Sequence, residues 1–262
     1  MGFVEKNGLR FYQFTSFLDL PVFHAILTRH GGVSQPPYTS LNTGGTVGDD
    51  SQAVLENHQR IYQTFGYDFG SRFDVWQVHG DLVLCTDSAR GVDHPHQKAD
   101  GILTNQPDVT LFMRFADCVP ILLVDPVKKV IGIIHAGWQG TYKRIAQSAV
   151  EKMVSCYGSQ PETLLAGIGP SICQKCYEVG FEVQDVFRSV FGEGANDYIE
   201  ESYGRLFLNL WRANRDILHR AGVEQVETAG ICTACNLRDW YSHRAEAGST
   251  GRFAVLMTIE HN

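Results

Sequence analysis

The sequence predicts an α+β fold, with mixed sheets and helices packed outside them. Three observations carry that reading. Strand-length apolar runs alternate with helix-length periodic stretches, and too many strands come in consecutive pairs for a purely parallel sheet. The 262 residues also suffice for one domain, expected over 1–262, since a chain of this length buries roughly 70 to 75% of its unfolded surface.

In chain order, residues 11–17 and 22–28 read as short strands. Residues 29–50 lack apolar periodicity and are dense in Gly, Pro, Ser, Thr and Asn, which predicts a long ordered loop of the kind that binds rather than merely links. Asp50 or Ser51 caps a helix over 53–65, where Val54, Leu55, Ile61 and Tyr62 form one apolar stripe. A strand over 73–78 ends at His79, and 82–85 is expected to return beside it. The turn-rich stretch 91–97 carries His94 and His96, which read as ordinary loop histidines. Short apolar 102–104 and a strand over 109–115 follow. Runs 119–124 and 130–134 form a hairpin about Asp125-Pro126, and a glycine-punctuated turn leads into a helix over 141–156. In the second half, 164–168, 206–208, 226–231 and 253–259 read as strands. Helices are expected over 178–191 and over 210–221, the latter capped by Asn209.

Composition excludes several functions. A formal net charge of −7 without a basic run argues against nonspecific nucleic-acid binding, while leaving room for a local basic pocket. No apolar run reaches membrane-spanning length, and the start, MGFVEKNGLRFYQFT, lacks the basic and apolar regions of a signal peptide, so the expected location is cytoplasmic. Seven cysteines make an odd count, better read as free thiols or metal ligands than as a disulfide framework. A homodimer is compatible with all of this.

Cys118 and His135 stand at the two edges of the predicted hairpin, and His79 ends another apolar run beside Gly80. Zinc in a catalytic site takes three such ligands and keeps one position open, so this trio is the candidate metal centre. Each member has a plain alternative as a buried strand-end residue. The rival metal reading is a closed structural zinc made of Cys173, Cys176, Cys232 and Cys235, two CxxC pairs that both follow predicted strands. Asp117, beside Cys118, could orient a ligand, act as acid or base, or cap the strand. Arg29, His30, Ser242, His243, Arg244 and Arg252 supply polar and cationic groups suited to a phosphate, or simply solvated loops.

The stretches RHGGVS with SLN, QVHG, ADG, FADCVPILLVDP, IHAGWQGT, GIGPSI with CYEVG, and CTACN with SHR and GR span Arg29 to Arg252. In that combination the chain resembles the laccase-domain, or polyphenol-oxidase-like, family, whose members are regarded as purine nucleoside phosphorylases. The resemblance implies a four-layer α/β/β/α arrangement and places the metal ligands on His79, Cys118 and His135. It implies zinc, with Cu2+ as the older attribution; one site of two histidines and one cysteine is poorly suited to multicopper oxidation. It further implies phosphorolysis of adenosine, inosine and guanosine, with adenosine deaminase and methylthioadenosine phosphorylase activity. On that expectation Arg29, Arg244, Ser242 and His243 hold phosphate, with His30, Asp117 or His243 moving protons. The alternatives are a copper-dependent polyphenol oxidase and a non-catalytic metal-stabilised module. One departure stands out: the family's HAGWRG is HAGWQG here, with Gln139 replacing a cation.

Overall fold

A computed structural model describes residues 2–91 and 93–260, so Val92 in the turn-rich stretch lies outside the described residues. Strands β1 (Gly2–Lys6) and β2 (Leu9–Gln13) form a hairpin about Asn7-Gly8, both at positive φ, as a tight two-residue turn requires. Strand β3 (Val22–Leu27) follows, then the irregular segment 28–50. Helix α1 (Ser51–Phe65) begins where Asp50 accepts the Gln52 N–H and ends at Gly66 in the left-handed conformation. Strand β4 (Arg72–Phe73) is short, because at Asp74 the chain turns a carboxylate into a buried ion cluster. Strands β5 (Val83–Cys85), β6 (Gly101–Thr104), β7 (Thr110–Phe115), β8 (Val119–Asp125) and β9 (Val130–Ala136) come next.

The predicted helix over 141–156 is two helices, α2 (Trp138–Tyr142) and α3 (Ile145–Tyr157), separated by Arg144 at φ 60°. Strand β10 (Leu165–Ile168) and the short β11 (Glu178–Val179) precede α4 (Phe181–Phe191); pairing of β11 with a later strand delays that helix. The hairpin β12 (Ile199–Ser202) and β13 (Arg205–Leu208) turns at Tyr203-Gly204. Helix α5 (Leu210–Arg220) starts with the Asn209 side chain accepting the Arg212 N–H, and β14 (Gln225–Thr228) and β15 (Phe253–Ile259) complete the order.

Two six-stranded mixed sheets organise these elements, in the orders β1-β2-β3-β15-β7-β4 and β14-β10-β8-β9-β6-β5. Strand β5 therefore does not return beside β4. It pairs parallel to β6 in the second sheet, while β4 pairs parallel to β7 in the first. A separate three-stranded sheet, β11-β13-β12, packs Ile199, Leu206 and Leu208 into the core that the second sheet shares with α3 and α5.

The alternation of side chains along β8 and β9 sends their two faces into different cores. Val119, Ile121, Leu123, Val130 and Ile134 pack with residues of α3 and α5, whereas Leu122, Val124, Ile131 and Ile133 pack against Leu111, Met113, Val255 and Met257 of the first sheet. A third core covers the other face of the first sheet with Ile61 and Tyr62 of α1. The hairpin is thus buried on both sides, which is why it reads as near-continuous apolar sequence. By the same two-residue period, Cys118 and His135 continue the row that faces the layer between the sheets.

Two histidines are built into these cores as neutral groups. His24 Nε2 accepts the Phe14 N–H at 2.8 Å, and burial lowers its pKa to about 4 although Glu227 opposes the shift. His58 Nδ1 faces Arg72 Nη1 at 3.4 Å; burial first, then the Arg114 and Arg72 charges, lower it to about 3. Unfolding restores both toward 6.5, so the unfolded chain binds more protons below that pH. The stability they contribute is complete above about pH 6.5 and is lost as pH falls toward the folded values. Urea unfolding measured between about pH 6.5 and 5 should lose stability with a slope approaching two protons, about 2.7 kcal/mol per pH unit. A flat profile in that window would refute the neutral assignment.

Candidate metal centre

The imidazoles of His79 and His135 and the Cys118 thiol converge so that one ligand atom from each lies within 4.8 Å of the others. Cys118 precedes β8 and His135 lies in β9, paired with Pro120, so the hairpin register brings these two together. His79 comes from the turn after the single bridge between Trp76 and Lys98, and its φ of 59° is an uncommon conformation for a residue with a Cβ. Gly137 closes the site from behind: a Cβ there would lie 2.9 Å from Cys118 Sγ and 3.3 Å from His79 Cδ2.

Asp100 organises this geometry, a role that sequence reading did not assign. Fully buried, it accepts the backbone N–H groups of Val78 at 3.1 Å, His79 at 2.9 Å and Gly80 at 2.6 Å. It also accepts His135 Nδ1 at 2.8 Å, and its own pKa is lowered: the hydrogen bond and charge of His135 and these N–H groups outweigh burial. A carboxylate only accepts, so Nδ1 carries the proton and Nε2 is left to face the Cys118 sulfur. Burial alone would raise the Cys118 thiol, but the His135 charge, followed by hydrogen bonds from His135 and His79, pulls it down. Burial disfavours the His135 cation, yet Cys118 and then Asp100 raise its pKa. The pair favours thiolate over thiol, the form in which cysteine binds a metal.

The trio lines one part of a cleft of about 460 Å³, whose wall also includes Gly44 and Gly45 of the long loop, Trp76, Arg114, His243 and Arg252. The expected binding loop therefore does reach the cleft. Asp74, 0% exposed, fixes part of this wall: its carboxylate accepts Arg114 Nη2 at 2.6 Å, His96 Nε2 at 3.1 Å and Arg90 Nε at 2.8 Å. His96, read from sequence as an ordinary loop residue, lines the cleft as well. Arg252 donates Nη1 to the carbonyls of Thr250 and Gly251, and among the described residues no carboxylate forms an ion pair with it.

The other sequence candidates are placed differently. Of His30, Asp117, Arg29, Ser242, His243 and Arg244, His243 alone lines the cleft. Arg29 donates to the carbonyls of Thr39, Leu237 and Trp240 and pairs with Glu246 at 3.1 Å, while His30 faces Asp239 at 3.0 Å. Asp117 accepts Thr233 Oγ1 at 2.6 Å, Ser242 Oγ at 3.0 Å and the Arg244 N–H at 2.7 Å, which satisfies its buried carboxylate. Arg244 Nη1 donates to the Glu178 carbonyl. Gln139, half-buried in α2, is not part of the cleft wall.

The site defines the class: an α+β protein with a two-histidine, one-cysteine donor set, fit for a transition metal, in a cleft between sheets. The comparisons give the family. The model described as multi-copper polyphenol oxidoreductase laccase matches residues 23–260, and the chain belongs to this YfiH-like family. It is 40% identical over 241 residues to a purine nucleoside phosphorylase of Deinococcus radiodurans, covering 92% of this chain and 90% of that one. It is 38% identical over 250 residues to the purine nucleoside phosphorylase YlmD of Bacillus subtilis, covering 91% and 89%. Among solved structures, YlmD from Geobacillus stearothermophilus superposes with a TM-score of 0.91 at 30% identity over 99% of both chains. The Bacillus licheniformis hypothetical protein YfiH gives 0.90 at 32% identity over 98% of this chain and 99% of that one.

Asp100→Asn should leave His135 free to change tautomer and weaken the turn at 78–80. Zinc affinity, read by chelator competition, is expected to fall roughly 10- to 100-fold. Unchanged affinity in a folded variant would show that the carboxylate does not orient the ligand.

Proposed function

We propose that this chain is a zinc-dependent purine nucleoside phosphorylase, with His79, Cys118 and His135 as the metal ligands. The observation that carries the reading is the convergence of that donor set with Arg252, which no carboxylate among the described residues pairs, in one nucleoside-sized cleft. The names of the relatives support it. Adenosine, inosine and guanosine are the proposed substrates, with adenosine deamination and methylthioadenosine phosphorolysis as further activities. The three cores support a four-layer α/β/β/α arrangement within a single domain.

Zinc held by the trio would supply Lewis acidity and an open position where water can be activated near neutral pH. The chain's own groups have separate tasks. Arg252 and Arg114 orient phosphate toward C1′ of the ribose, and the leaving purine, which gains negative charge as the bond breaks, takes a proton from the His243 or His96 ring. Trp76, half exposed in the cleft wall, offers a face for the base. Asp117, with Ser242 and Arg244, positions the turn that carries Cys118 and the loop that carries His243. Arg29 and His30 brace the long loop from behind. A soluble cytoplasmic enzyme is proposed; among the described residues no helix is long and apolar enough to cross a membrane. A homodimer is the proposed assembly.

Metal-quantified protein incubated with adenosine should give adenine and ribose 1-phosphate only when phosphate is present, and His79→Ala should abolish both. Inosine formed without phosphate would support only the deaminase activity. No nucleoside turnover from folded, zinc-loaded protein, together with copper-dependent oxygen uptake on phenols, would replace this reading with the oxidase. Arg252→Ala should raise the phosphate KM at least tenfold, the equivalent of about 1.5–3 kcal/mol for a charge-assisted hydrogen bond.

A further inference from the structure

The two CxxC pairs, separated by 59 residues from Cys173 to Cys232, are brought to one point by the second sheet. Strands β10 and β14 run parallel and adjacent, and the pairing continues beyond them as the bridge between Ser171 and Cys232. Ser171 N–H donates to the Ile231 carbonyl and Thr233 N–H to the Ser171 carbonyl, each at 3.1 Å, so the two knuckles leave the sheet in register. Cys173 N–H points at Cys232 Sγ at 3.3 Å, and Cys176 Sγ lies 3.3 Å from Cys235 Sγ. All four sulfurs fall within 4.8 Å of one another, and all four thiols are free.

We propose that Cys173, Cys176, Cys232 and Cys235 form a second metal site, a closed tetrathiolate for a zinc-class divalent ion. Zinc–sulfur bonds of about 2.3 Å set tetrahedral edges near 3.8 Å, within the span these sulfurs already occupy. Four thiolates leave no open position, so the site binds metal without performing chemistry on a substrate. None of its cysteines lines the cleft, and it shares no residue with the His79, Cys118 and His135 set. Its role is to tie two loops together at a place that matters for the cleft. Thr233, inside the second CxxC pair, donates to the Asp117 carboxylate at 2.6 Å, and Ile172, next to Cys173, donates its N–H to the Asp117 carbonyl at 3.0 Å. The ion would therefore hold two of the partners of the residue that precedes Cys118.

The inference does not depend on nucleoside chemistry, and its test reads metal rather than turnover. Native mass spectrometry of the full chain, reloaded with zinc and freed of excess, should find two ions per chain, one for each donor set. Cys118→Ser should keep one, and Cys176→Ser with Cys235→Ser should keep the other. Cobalt loaded into Cys118→Ser should show the thiolate charge-transfer bands of a tetrathiolate, several-fold more intense than those of the one-thiolate site that the double variant keeps. If the double variant fails to fold, the parent and Cys118→Ser proteins still decide the matter. A single ion in the parent that disappears in folded Cys118→Ser would overturn the site. So would a shortfall from seven titratable thiols in denatured, chelator-treated, unreduced protein, which would mean disulfides occupy the cluster.

Discussion

The arrangement of the candidate metal centre depends on a buried carboxylate that must be satisfied. An ionised carboxylate removed from water costs several kcal/mol unless donors replace its hydration. Asp100 finds them in three successive backbone N–H groups and the His135 ring. The N–H groups can converge because His79 adopts φ 59°, a conformation that costs roughly 1–2 kcal/mol for a residue with a Cβ. The hydrogen bonds to Asp100 hold that turn against its intrinsic preference. The Asp100 backbone carbonyl also accepts the His135 N–H at 2.7 Å, so one residue fixes a candidate ligand through both its side chain and its main chain. Since Asp100 immediately precedes β6, and β6 pairs with β9, the sheet itself positions the carboxylate.

Two further buried carboxylates repeat the device with different donors. Asp117, at φ 81°, holds the turn before Cys118 by accepting from Thr233, Ser242 and the Arg244 backbone. Asp74 accepts from cations instead and orients Arg114 and His96 at the cleft. Asp117, Arg29 and Ser242, which the sequence suggests as an acid and as phosphate ligands, are here occupied in holding other groups in place. These partners explain why residues of the right chemistry, Arg29 and Ser242 among them, do not line the cleft.

What was legible in the sequence follows the range of the interactions. The β8–β9 hairpin, the caps at Asp50 and Asn209, the strand at Phe253–Ile259 and the alignment of Cys118 with His135 depend on local periodicity and turn chemistry, and the residues predict them. The short β4, the separation of β5 from it, and the break at Arg144 depend on tertiary partners. So does the importance of Asp100, whose bonds reach 20 to 35 residues along the chain. The hairpin about Asn7-Gly8 has no counterpart in the sequence reading, which starts its strands at residue 11, because β1 is an edge strand with little burial. Strand β12, IEES, is too polar to announce itself and forms because β13 pairs with it.

The charge of the cleft shows why whole-chain electrostatics is a poor guide to ligand choice. The protein has a formal net charge of −7, yet three guanidinium groups, from Arg72, Arg90 and Arg114, share the single carboxylate of Asp74. That cluster keeps an excess of positive charge beneath the wall to which Arg114 belongs. Arg252 stands nearby in the same wall with carbonyl oxygens as its hydrogen-bond partners, and burial lowers its pKa against the opposing influence of Cys118 and Asp117. Of the two cleft arginines, Arg114 is already oriented by a carboxylate, whereas among the described residues none pairs with Arg252. A bound phosphate dianion would relieve the desolvation of Arg252 and balance the Asp74 cluster together, whereas a neutral ligand would do neither. Local charge balance, rather than the net charge of the chain, is what supports the proposed phosphate ligand.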